Sequence, residues 1–124
     1  MKAVIIGGGI AGLTLGLILK NKNFEVVVHE RAPGISPYGH AFLMHEEGLS
    51  ILRNLNNGAK PKLTRNSILN FSLKRPDETL IKSIELDSWQ CYKRNDIIRY
   101  LYSLYPNGII KEGQEFSHFI YSNG

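Results

Sequence analysis

The sequence predicts an α/β fold: a parallel sheet built around a βαβ unit, with an antiparallel hairpin added. Three observations predict it. A short β-branched run at 2–6 leads into a glycine turn and then an apolar helical stretch. A second such run, "FEVVVH" at 24–29, completes the unit within thirty residues. Further on, "SILNFSLKRPDETLIKSIEL" at 67–86 carries two β-rich runs around "RPDE", the pattern of a hairpin.

Lys2 to Ile6 shows no polar alternation, which suits a strand covered on both faces. Ile10 to about Asn21 reads as a helix, because Ile10, Leu13 and Leu17 recur at i, i+3 and i+7, and "NKN" ends it. Phe24 to His29 is the second strand. A strand, crossover helix and strand of this length are expected to be right-handed and parallel. "RAPGISPYGHAF", with prolines at 33 and 37 and glycines at 34 and 39, reads as a loop. "HEEGLSILRNLN" reads as a helix with Leu49, Leu52 and Leu55 on one face, and Asn56-Asn57-Gly58 stops it. The Ser67–Leu86 hairpin follows. "KRNDIIRYLYSLYPNG" is the third helix: Asn95 or Asp96 caps it, Ile97, Leu101 and Leu104 form its stripe, and Pro106 to Gly108 ends it. Ile109 to Lys111 is expected as a third parallel strand and Phe116 to Tyr121 as one more strand. The closing "SNG" adds a turn signal after that strand.

A chain of 124 residues suits one domain. Fifteen basic residues against eleven acidic give +4. The basic residues are scattered without a block of like charge, which argues against a nucleic-acid arm. Cys91, the single cysteine, excludes a disulfide framework or a thiolate metal site within one chain, and is expected as a buried strand residue. His29, His40, His45 and His118 show no metal spacing, and "HEEG" is not H-E-x-x-H because position 49 is leucine. Serines 36, 50, 67 and 103 lack the G-x-S-x-G context of a nucleophile. Glu46-Glu47 and Asp77-Glu78 suit a helix first turn and a hairpin loop rather than acid–base pairs. Residues 13–19 are too short and too interrupted to span a membrane, and the first strand leaves no room for a signal peptide. A cytoplasmic protein is expected.

Gly7, Gly9 and Gly12 match G-x-G-x-x-G after a strand and at the opening of a helix, the context its mechanism needs. Gly7 permits the tight turn, Gly9 lets backbone approach a pyrophosphate, and Gly12 lets the helix pack close to the sheet. Amides around Ile10, Ala11 and Leu13 then face an anion, helped by roughly 0.3–1 kcal/mol from the helix dipole. Glu30 ends the second strand eighteen residues after Gly12. A carboxylate there accepts hydrogen bonds from adenosine ribose hydroxyls and repels a 2′-phosphate. Separately, the glycines suit a structural turn and Glu30 an exposed strand-end charge; in register they indicate a Rossmann-like dinucleotide site. The turn itself does not choose between NAD and FAD.

"VIIGGGIAGLTLGLILKNKNFEVVVHER" resembles the N-terminus of the FAD-dependent aromatic-hydroxylase-like monooxygenases, the family of para-hydroxybenzoate hydroxylase and the tetracycline monooxygenases. "YGHAFLMHEEGLSILRNL" is similar to that family's loop and helix after the acidic residue, and the hairpin falls where the family's substrate-domain sheet starts. "YKRNDIIRYLYSL" resembles its motif of an arginine before a helix with spaced leucines. The resemblance implies an incomplete glutathione-reductase-type FAD-binding fold. It implies that Arg94 reaches the FAD in the phosphate–ribityl region, that Arg31 accompanies the adenosine, and that Gly39, His40 and Ala41 lie near the flavin end. The implied activity of the full enzyme is NAD(P)H-driven hydroxylation of a small, often aromatic substrate.

Family members are longer and carry a later Asp-Gly motif and a Gly-Asp motif. Here the aspartates are Asp77, Asp87 and Asp96, none beside a glycine. The expectation is therefore the N-terminal part of a FAD-binding domain, residues 1–124, with the hairpin from the start of the substrate domain. Such a piece is expected to hold cofactor weakly, to have no turnover alone, and to self-associate through open sheet edges. Two alternatives stand beside it: a fragment of an NAD-linked or other two-dinucleotide oxidoreductase, and a nucleotide-binding remnant without catalysis.

Overall fold

A computed structural model describes residues 1–36 and 39–121. Pro37 of the loop and the "SNG" turn signal lie outside the described residues. In chain order the elements are β1 (Lys2–Ile6), α1 (Ile10–Asn21), β2 (Glu25–His29), β3 (Ala41–Met44), α2 (Glu46–Leu55), β4 (Arg65–Ser67), β5 (Asn70–Lys74), β6 (Leu80–Glu85), β7 (Gln90–Lys93), α3 (Arg94–Ser103) and β8 (Ile110–Lys111). The chain divides into two compact units. One takes in the N-terminal βαβ part and the stretch from Ile98 onward; the other spans Gly39–Ile97.

In the first unit β1, β2 and β8 form a parallel sheet in the order β1-β2-β8. β1 and β2 pair from Lys2↔Glu25 to Ile6↔His29, and β8 joins through Val28↔Ile110 and His29↔Lys111. This is the α/β fold that the sequence predicts. The core is Ile5, Leu13, Leu17, Val26, Val28, Ile98, Leu101 and Tyr105. Leu13, Val28 and Leu101 are fully buried, and each such side chain contributes about 1.5–3 kcal/mol. Gly16 lets Tyr105 in: a Cβ there would lie 2.2 Å from the tyrosine oxygen. The Tyr105 hydroxyl donates to the Leu13 carbonyl at 2.6 Å.

Two expectations fail in this unit. β1 is not covered on both faces: Val4 and Ile6 are 57% and 49% exposed, and β1 is an edge of its sheet. Hydrophobic, β-branched composition marks a strand that can be buried twice, but only a second layer buries it. Phe116 to Tyr121 is not a strand. Its rings meet at a tilt instead, Phe116 with Phe119 and Phe119 with Tyr121, and an apolar groove forms between Phe116, Phe119, Val4 and Ile6. β propensity without a neighbouring ladder leaves the backbone irregular.

In the second unit an antiparallel sheet runs in the order β3-β7-β4. Its core is Met44, Leu49, Leu52, Tyr92 and Ile97. This sheet corrects the expected loop, because Ala41 and Phe42 belong to β3 and pair with Lys93 and Tyr92. Ser67 also belongs to it rather than to the hairpin, through β4. The hairpin proper is β5–β6, paired from Asn70↔Glu85 to Lys74↔Leu80 with an irregularity at Leu73/Lys74. The Asp77 carboxylate closes the loop by accepting the Thr79 N–H at 3.0 Å, which holds its carboxyl below the usual range. Cys91 lies in β7 as expected, but is half-buried rather than buried. Among the described residues no helix is long and apolar enough to cross a membrane.

Candidate functional site

The turn between β1 and α1 has the geometry its glycines require. Gly7 sits at φ +104°, a conformation that side chains rarely adopt. Its N–H donates to the His29 carbonyl at 2.8 Å, which fastens the turn to the end of β2. At Gly12 a Cβ would lie 2.0 Å from the Gly7 carbonyl oxygen and 3.2 Å from Ile5 Cγ2, so the helix could not approach the strand with any side chain there. Gly9 is the N-cap at φ −77°, ψ 178°, and no side chain caps this helix end or places an acid in its first turn. The first-turn amides of Ile10, Ala11 and Gly12 therefore keep the positive end of the helix dipole. The Leu13 amide, expected among them, is already closed into the helix on the Gly9 carbonyl.

Glu30 comes to this turn from the end of β2. Its Oε2 accepts the Gly8 N–H at 2.6 Å and its Oε1 accepts the Ala32 N–H at 2.8 Å. Two amides thus fix the carboxylate, while an ionised carboxylate offers about four lone-pair sites. Capacity for two hydroxyl donors remains. Gly8 is a position the motif does not name: a Cβ there would lie 3.0 Å from both Cβ and Oε2 of Glu30. Glycine there lets the acid sit this close to the turn without a tight contact.

Two residues that the motif does not name, Tyr102 and Glu112, belong to the same electrostatic surroundings as Glu30. Burial first, then the Glu112 and Glu30 carboxylates, raise the Tyr102 phenol above its ordinary range. Glu112 arrives because β8 continues the register of β2: Lys111 faces His29, and the Glu30 N–H donates to the Lys111 carbonyl at 2.9 Å. Parallel pairing of 109–111 with 24–29 was the signal that could have found it.

Arg31 is exposed directly after Glu30. Arg94 does not precede α3 but opens it, with Asn95 and Asp96 inside the first turn rather than at the cap. The reason is β7, which runs directly into the helix at Lys93. Arg94 and the loop residues His40 and Gly39 do come together within the second unit. The Arg94 N–H donates to the His40 carbonyl at 3.1 Å, and a Cβ on Gly39 would lie 2.6 Å from Asn95 Oδ1. Among the described residues no group of three or more His, Cys, Asp or Glu side chains gathers as a metal set would.

Residues 5–60 match the model of the NAD(P)-binding Rossmann-like domain family. The chain is 31% identical over 120 residues to Monooxygenase 1 of Arabidopsis thaliana, covering 94% of this chain and 30% of that protein. It is 38% identical over 58 residues to the FAD-dependent urate hydroxylase of Klebsiella oxytoca, covering 47% of this chain and 15% of that one. Among solved structures, Klebsiella pneumoniae HpxO complexed with FAD and uric acid superposes with a TM-score of 0.69 at 18% identity, over 91% of this chain and 31% of that one. The chain thus spans about a third or less of the length of the proteins it matches.

Proposed function

Because this chain is a relative of flavin-dependent monooxygenases over one part of their length, we propose that it binds the adenosine–diphosphate half of FAD at the turn between β1 and α1. One observation carries the reading: the Glu30 carboxylate lies against that turn, on the Gly8 amide at 2.6 Å. Ligands of open α/β sheets bind outside the carboxyl ends of the strands, where these groups meet. Gly7, Gly9 and Gly12 shape the cradle, Ile10 and Ala11 donate N–H groups to the diphosphate, and Glu30 holds the ribose hydroxyls. Arg31 accompanies the adenosine. Arg94 steadies the phosphate–ribityl region, a role supported by its motif and by the forked guanidinium that suits phosphate oxygens.

In this reading the chain is the N-terminal part of a FAD-binding domain, with the hairpin from the start of a substrate domain. The full enzyme hydroxylates a small, often aromatic substrate with NAD(P)H as reductant. FAD supplies the redox chemistry when bound, and this chain's residues bind and orient it; none of them is assigned a catalytic role. Copies of the isolated chain meet through the β1 edge, where Val4 and Ile6 are exposed. An Ile6→Lys variant that sediments like the wild type would remove that last point.

Titration of FAD, followed by flavin fluorescence, tests the main reading. Saturable binding is expected, weakened by about 1–3 kcal/mol in Glu30→Ala, the value of a charged hydrogen bond. Binding of NADH without FAD would instead support the NAD-linked alternative. Folded protein that binds neither would leave a remnant without a cofactor.

A further inference from the structure

The geometry points to a second anion site, within the unit spanning Gly39–Ile97, that takes a small molecule bearing two or more phosphate groups. A cavity of about 570 Å³ opens between α2, the loop at 60–64 and the start of β4. Arg53, Lys60, Lys62 and Arg65 line it, with Glu46 as its single carboxylate. Four cations against one carboxylate leave three positive charges at one cavity, while the whole chain carries only +4. Most of the excess charge of the molecule is gathered here.

The carboxylate does not neutralise the group. Glu46 is ion-paired with Arg53. The hydrogen bond from Arg53 first, and then the charges of Arg53, Lys60 and Arg65, hold the Glu46 carboxyl below its ordinary range, so several cations act on one acid. Among the described residues Lys60, Lys62 and Arg65 make no ion pair. Their charges remain available to a ligand.

Shape selects the ligand class. The cavity backs onto the buried Leu49 and Tyr92, and its lining is mostly polar. Its volume lies within the ~300–1,000 Å³ of small-molecule pockets. Arginine forks and lysine point charges are the usual partners of phosphate oxygens. Four cations gathered locally around one cavity suit a compact diphosphate or bisphosphate better than the extended backbone of a nucleic acid, which needs a basic groove that tracks it.

The test is calorimetric titration of inorganic pyrophosphate into Gly9→Val protein, so that the glycine turn cannot contribute. Saturable binding that weakens with added salt is expected. Reversing two exposed charges, Lys60→Glu with Arg65→Glu, should weaken it about tenfold or more. In the wild-type background the same double variant should lose pyrophosphate affinity while keeping its FAD affinity, which preserves the test should Gly9→Val fail to fold. Equal affinity in the double variant overturns the site. Citrate or monophosphate binding as tightly as pyrophosphate overturns the ligand class. ADP and a hexose bisphosphate are the two phosphate sources to compare; tighter binding of either supports the site and names its source.

Discussion

α1 and α2 start alike in backbone and differently in charge. Gly9 and His45 are extended N-cap residues, and neither caps its helix through a side chain. α2 answers its own dipole with Glu46 and Glu47 in the first turn; α1 carries no acid there. Instead the fold brings one carboxylate from another strand, Glu30, and seats it on the Gly8 amide beside the open helix end rather than over it. A helix start with its own acids is electrostatically complete. One stripped of them, packed on its strand through Gly12, where a Cβ would meet the Gly7 carbonyl, keeps its amides for an anion from outside.

Substitutions at and around the two helix starts test this difference. The largest effect is expected at Gly12→Val. A Cβ 2.0 Å from the Gly7 carbonyl forces α1 off β1, which should cost about 3 kcal/mol or more, the upper range of overpacking. Urea unfolding measures it; an unchanged midpoint would show that the close approach is not needed. Gly9→Val should separate ligand from fold. Its φ of −77° is open to any residue, so stability should hold to within about 1 kcal/mol while FAD affinity drops by about a hundredfold, or about 2.7 kcal/mol. Equal losses in both would make Gly9 a structural glycine only.

Tyr105→Phe probes the body of α1 rather than its start. Losing the hydroxyl bond to the Leu13 carbonyl should cost about 1 kcal/mol and leave FAD affinity unchanged. Burial raises the Tyr105 phenol to about 12. A raised folded value means that the tyrosine's contribution is complete below its unfolded value of about 10 and declines as pH climbs toward about 12. The wild type should therefore lose stability in that window and Tyr105→Phe should lose less; parallel alkaline curves would contradict this. The smallest effect is expected at Glu47→Gln in α2, about 0.3–1 kcal/mol of stability with FAD affinity unchanged. A loss of FAD affinity there would mean that the two helix starts are not independent.

Much of the candidate site could be read along the chain because its parts are local. The glycine spacing, the helix from Ile10 and the strand ending at Glu30 all fall within thirty residues, and each has a period or a backbone requirement that composition reveals. Among pairings that span longer separations, the third parallel strand at 109–111 was legible, but the second sheet was not. β3, β4 and β7 come from positions far apart and are short, so nothing in any one of them announces the sheet they share. Phe116 to Tyr121 shows the reverse failure, strand-like residues without a ladder to join.

Covalent spacing and local sterics suffice for the turn at Gly7–Gly12, the helix it opens and the acid that follows, so all three are written into the amino-acid order. Folding seats Glu30 on the Gly8 amide, brings Glu112 to Tyr102, and gathers four basic residues from 53–65 around one cavity. Those arrangements depend on strand register and on which surfaces pack, and neither is encoded within any single stretch of the chain.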